Sequence, residues 1–105
     1  METPNLSYID KLSNGDDLFK KKIIEVIKFE FPSEKDLYHK NINLKQYKNA
    51  AENIHKIKHK ISILSFDKGY ELASKHENNL KENKTNLEQE FEEVLKTITF
   101  YLTLI

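Results

Sequence analysis

Two of the four histidines, His55 and His59, stand one helical turn apart in the run Ala51-Glu52-Asn53-Ile54-His55-Lys56-Ile57-Lys58-His59. An imidazole on a helix surface among ammonium groups is suited to nucleophilic attack on phosphorus. Nearby positive charge favours the neutral ring, whose second nitrogen keeps a free lone pair. Lys58, three residues past His55, is placed to offset charge on phosphoryl oxygens, an electrostatic contribution that needs little further machinery. His59 is the poorer acceptor, because three residues beyond it lies Ser62 and not a cation. The same pair has the spacing by which two imidazoles share a metal, with Glu52 or His76 as a third ligand. Lys56, Lys58 and Lys60 surround it with charge that repels a dication, so no metal site is expected. The plainer alternative is a set of solvated histidines on a lysine-rich helix face.

The elements that carry these residues follow from hydrophobic spacing. Tyr47, Ala50, Ile54, Ile57, Ile61 and Leu64 alternate steps of three and four, which predicts a helix over 44–64 with one buried seam. His55 is then rotated roughly 100° from Ile54, at the edge of the buried face and open to solvent. Ala51, Glu52, Lys58, His59 and Ser62 share its ridge. Upstream, Asn14-Gly15 marks a turn, and Asp16 and Asp17 start a helix carrying Phe19, Ile23, Val26, Ile27 and Phe31. Pro32 either kinks that helix, the favoured reading because no loop-like run follows, or precedes a segment capped by Ser33 that carries Leu37, Tyr38 and Ile42. Phe66, Tyr70, Ala73 and Leu80 form a third stripe. Thr85 with Glu88 reads as a capping box for a fourth, through Leu87, Phe91, Val94, Ile98, Tyr101 or Leu102, and Ile105. Thr97 to Ile105 has strong β propensity, outweighed by its continuation of the helical stripe. Short links predict antiparallel neighbours, hence an all-α antiparallel four-helix bundle with a short extra helix near 6–12 lying over one end.

Composition narrows the functional classes. The 105 residues suit a single domain, 1–105, and 17 cations balance 17 anions with every cation a lysine. Without net positive charge or arginine forks, nucleic-acid binding is disfavoured. No cysteine means no disulfide, thiolate metal site or cysteine nucleophile. The first ten residues lack the basic and apolar regions of a signal peptide, and the apolar stretch Ile98 to Ile105 is far short of the roughly 20 residues of a membrane span. A cytoplasmic protein is the expectation. Lys20-Lys21-Lys22 reads as a solvated helix face or as a patch that helps dock an acidic partner.

The segment Ala51 to Glu77 resembles the central motif of histidine-containing phosphotransfer (HPt) domains: an apolar residue, histidine, any residue, leucine or isoleucine, lysine, glycine. Here Ile54, His55, Ile57 and Lys58 match. The following leucine-glycine turn and amphipathic helix with a central glutamate resemble Leu64-Ser65, Tyr70, Ala73 and Glu77, while Gly15-Asp16 and Pro32 resemble the family's earlier part. The likeness spans about 5–102 and departs at two glycines, which are His59 and Ser65 here. It implies that His55 accepts a phosphoryl group and Lys58 stabilises it, with Ala51, Glu52, His59 and Ser62 forming the docking ridge. The partners implied are response-regulator receiver domains and a hybrid sensor kinase. No cofactor is expected in this chain, since the receiver supplies magnesium. The chain would be a phosphorelay intermediate and not a turnover enzyme, expected as a monomer although its seam helices could support a dimer. The two departures motivate an alternative, a non-catalytic helical interaction module that docks receivers without carrying phosphate.

Overall fold

The structure is a computed structural model and describes residues 2–105. Among these residues it holds five helices and no strand: α1 (Ser7–Ser13), α2 (Asp17–Asn43), α3 (Tyr47–Ile63), α4 (Asp67–Lys81) and α5 (Glu88–Leu102). Helix α3 packs between α2 and α4, α5 rests on α4 and α2, and α1 lies against α2. The packing is that of a helical bundle around one contiguous apolar core. None of these helices is long and apolar enough to cross a membrane.

The seam predicted for α3 is the centre of that core: Ala50, Ile54, Ile57, Ile61 and Leu64 are all fully buried. Phe91, Val94, Leu95, Ile98 and Leu102 supply the α5 face. Helix α2 differs more from its predicted stripe. It runs unbroken through Pro32 for 27 residues, about 40 Å, which resolves the choice left at Pro32 in favour of one continuous element. Its inward residues are Ile27, Phe31, Tyr38 and Ile42, whereas Phe19, Val26 and Leu37 are exposed. Phe19 and Val26 line a groove between α2 and α3 outside the core, and α3 stops at Ile63. Polar clasps join the two helices. The Lys60 ammonium donates to Glu30 at 2.7 Å and Glu34 at 3.1 Å, and the Asn41 amide donates to Asn53 at 2.6 Å.

Of the two predicted helix caps, one is present. Asp16 caps α2 as expected, its carboxylate accepting from the Phe19 amide at 3.0 Å. Thr85 does not cap α5: the helix begins at Glu88, Leu87 occupies the cap without a side-chain bond, and Thr85 contributes only its carbonyl to the Glu88 amide. The pattern was present, but a backbone turn took its place.

The three links between long helices share one geometry. Each follows the helix with a residue at positive φ, Lys45 (58°), Ser65 (57°) or Asn83 (60°). The next amide then reaches back across the turn, from Gln46 to Asn41, Phe66 to Ile61, and Lys84 to Asn79. This is the Schellman closure, built without the glycine that usually relieves its left-handed residue. At Ser65 the N-terminal segment adds support, because its hydroxyl accepts from the Tyr8 amide at 3.2 Å and the Asn5 amide donates to the Leu64 carbonyl.

Gly69, one turn into α4, is held by a packing requirement. A methyl there would lie 2.7 Å from the buried Phe66 ring. Gly69→Ala gains about 1 kcal/mol of helix propensity but must displace an aromatic ring, an overpacking cost of about 1–3 kcal/mol. Thermal unfolding of the variant is expected to show a lowered midpoint; an unchanged or raised one would mean that the ring moves freely.

Candidate functional site

Helix α3 places His55 as its spacing predicts. The side chain is 62% exposed, on the flank of α3 that faces α4. One turn on, the exposed His59 ring stands edge-on to it, with centroids 5.5 Å apart and planes at 84°. Glu52 and Ser62 are exposed along the same ridge, as a docking surface requires. Ala51 is not: it is 1% exposed and belongs to the core. Helix α4 packs over that flank and widens the buried sector of α3 past the seam, so the expectation that Ala51 lies on a partner-facing surface is corrected.

The residue that organises the site comes from α4. Glu77 is buried to 8% side-chain exposure, and its carboxylate meets three nitrogen bases, two of them lysine ammoniums. Oε1 accepts from the Lys58 ammonium at 2.8 Å, while Oε2 lies 3.5 Å from His55 Nδ1 and 3.5 Å from Lys81 Nζ. Burial pushes this carboxyl up, but the Lys58 hydrogen bond and the charges of Lys58, Lys81 and His55 outweigh it and hold Glu77 below the usual carboxylate range. Lys58 is itself nearly enclosed, at 15% exposure, with its ammonium 5.4 Å from the centre of the Tyr70 ring. The cation expected to face the phosphoryl group is therefore already paired.

A shallow cavity of about 460 Å³ opens beside His55, lined by Glu52, His55, Lys56, Glu77 and Lys81. A second groove runs between α2 and α3 on the far side of His59. Phe19, Ile23, Val26, Ile27 and Ile63 form its apolar floor, and Lys22, His59 and Lys60 stand among the residues lining it. The Lys20-Lys21-Lys22 run is thereby divided between two surfaces: Lys22 lines this groove, whereas Lys20, paired with Asp10 at 2.6 Å, and Lys21 line a different hollow with Ile24, Lys28 and Ile105.

The other histidines are elsewhere. His39 pairs with Glu92 of α5 at 2.7 Å. His76, considered beside His55 as a metal ligand, is fully buried, with Nε2 2.8 Å from the Tyr38 hydroxyl and its ring 5.2 Å from Phe91. Its neighbour in sequence, Glu77, is the one that turns toward the site.

Sequence reasoning found Glu77 only as a point of family likeness and did not connect it to Lys58; Lys81 it missed. A signal was present. The stripe Phe66, Tyr70, Ala73, Leu80 alternates four, three and seven, and Glu77 is the member that completes the four-three rhythm. A charged residue in a buried register implies a partner on the facing helix, and Lys58 is the nearest cation on the matching flank of α3. Comparison of the chain with family models, with curated proteins and with solved structures finds no match in any of the three.

Proposed function

We propose that this chain is a histidine phosphotransfer protein that carries a phosphoryl group on His55 between receiver domains. The observation that carries the reading is the environment of His55: a 62% exposed imidazole whose Nδ1 lies 3.5 Å from a buried carboxylate. Attack by the Nε2 lone pair on a receiver's aspartyl phosphate forms the N–P bond as the O–P bond breaks, and the aspartate leaves with the bonding pair. The ring keeps its Nδ1 proton and becomes a phosphoimidazolium. Its new positive charge lies beside Glu77, which offsets it. Return transfer reverses each step. Magnesium and the acidic pocket belong to the receiver, so this chain is an intermediate and not a turnover enzyme.

The proposed architecture is an antiparallel four-helix bundle of α2 to α5, with α1 across one end. The short links and the opposed order of the α2–α3 clasps, Asn41 to Asn53 and Glu34 to Lys60, support it. The groove floored by Phe19, Val26 and Ile63 supports receiver docking, because this apolar surface reaches His59, one turn along α3 from His55.

The test is incubation with a phosphorylated receiver panel followed by intact-mass measurement. One receiver at least is expected to transfer a single acid-labile phosphoryl group. Tight binding without mass gain would favour the non-catalytic docking module, for which His59 beside His55 is the motivating feature.

A further inference from the structure

In the site just described Lys58 and Lys81 share one carboxylate but not one environment. Lys58 holds Oε1 at 2.8 Å and is nearly enclosed, and it does not line the cavity beside His55. Bringing its ammonium to a phosphoryl group would break the shortest contact of a buried carboxylate. Lys81 is 57% exposed and lines that cavity. Its ammonium and His55 Nδ1 each lie 3.5 Å from the same oxygen, Oε2, so the two nitrogens are no farther apart than twice that distance. A contact of 3.5 Å from a solvated lysine is weak and easily exchanged.

We infer that Lys81 is the cation that meets the phosphoryl group on His55, and that Lys58 is a positioning residue acting through Glu77. The inference rests on His55 being the phosphoacceptor. When the phosphoryl dianion arrives, Lys81 leaves Oε2 for its oxygens, a move along the surface from the far end of a flexible side chain. Lys58 stays and keeps the carboxylate in place behind the ring. No proton moves between Glu77 and either lysine in this exchange.

The experiment uses the full chain and phosphoramidate, a small phosphodonor that needs no receiver. Loading rate and lifetime of the acid-labile group are followed in wild type, Lys81→Ala, Lys81→Arg and Lys58→Ala, alongside thermal unfolding of each. Lys81→Ala is expected to load about tenfold more slowly, the effect of one charge-assisted contact, with wild-type melting and partial recovery in Lys81→Arg. Lys58→Ala is expected to melt at a lower temperature, because it removes the shortest contact of a buried carboxylate and leaves Oε1 unpaired, and its His55 ring nitrogens should shift in ¹⁵N NMR as Glu77 moves. Wild-type loading in Lys81→Ala would overturn the inference while leaving His55 as acceptor. So would Lys58→Ala with slowed loading but unchanged melting and ring resonances. A wild-type chain that takes no phosphoryl group from phosphoramidate or from any receiver would overturn the reading of His55 itself.

Discussion

Replacing His55 with glutamine is expected to abolish acid-labile phosphorylation entirely while leaving helical content and melting temperature as they are. The loss is complete because the amide has no lone pair nucleophilic enough to form an N–P bond, and the nearest alternative imidazole, His59, lacks a facing carboxylate. The structural effect is small because the His55 side chain is 62% exposed and its contact with Glu77 is a long one, 3.5 Å; exposed substitutions of this kind usually change stability by less than about 0.5 kcal/mol. Glu77 keeps Lys58 and Lys81 in the variant, so its buried charge is never stranded. Phosphorylation from a labelled receiver, read by acid-urea gel and by intact mass, decides the matter. A label that persists in His55→Gln and disappears only in His59→Gln would move the acceptor one turn along α3.

The second large effect is on stability and comes from the other side of α4. Burial lowers the His76 imidazole to about 4 from an ordinary 6.5. The groups facing it are the Tyr38 hydroxyl from α2, 2.8 Å away, and the Phe91 ring from α5, with the His39–Glu92 pair behind Tyr38. Tyr38 stays protonated, since burial first, and then Glu92 and Glu88, push its hydroxyl upward. The unfolded chain therefore binds a proton at His76 more readily than the folded one between these two values. Stability is full above about pH 6.5 and falls as pH drops toward 4, by about 3 kcal/mol from this group alone. Glu77 acts in the same direction at still lower pH: its folded carboxyl is depressed, and the stability it provides disappears as it takes up a proton. Urea unfolding across pH 4–7 should show the decline, and His76→Phe should flatten it even if the variant starts less stable for want of the Tyr38 partner. Equal slopes in the two proteins would remove His76 as the cause.

The contrast between these neighbours explains what could be read from the sequence. The α3 seam was legible because Ile54, Ile57 and Ile61 repeat one period without interruption, and that period also fixes the exposure of His55. Positions at the edges of a stripe were not legible. Phe19, Val26 and Tyr70 have the residue types of a core and lie outside it, while His76 and Glu77 have polar types and lie inside it. Whether an edge position is buried depends on how far the neighbouring helix overlaps it, a property of two segments together that neither carries alone. Ala51 shows the same effect: its spacing placed it beside His55, but the approach of α4 buried it. The Glu77 hub joins residues 55, 58, 77 and 81 from two helices, and only the family likeness and the position of Glu77 in the stripe pointed toward it.

The corners between the long helices have a bearing on likeness between proteins. Lysine, serine and asparagine occupy equivalent left-handed positions, and what the three corners have in common is a backbone amide reaching back to a carbonyl five residues earlier. The closure of each corner is thus encoded in main-chain connectivity and not in residue identity. Substitutions at these points can drift among chemically unrelated side chains while the path of the chain is preserved. Resemblance at such corners is a matter of backbone path, and a missing glycine is weak grounds for deciding that two chains differ in shape.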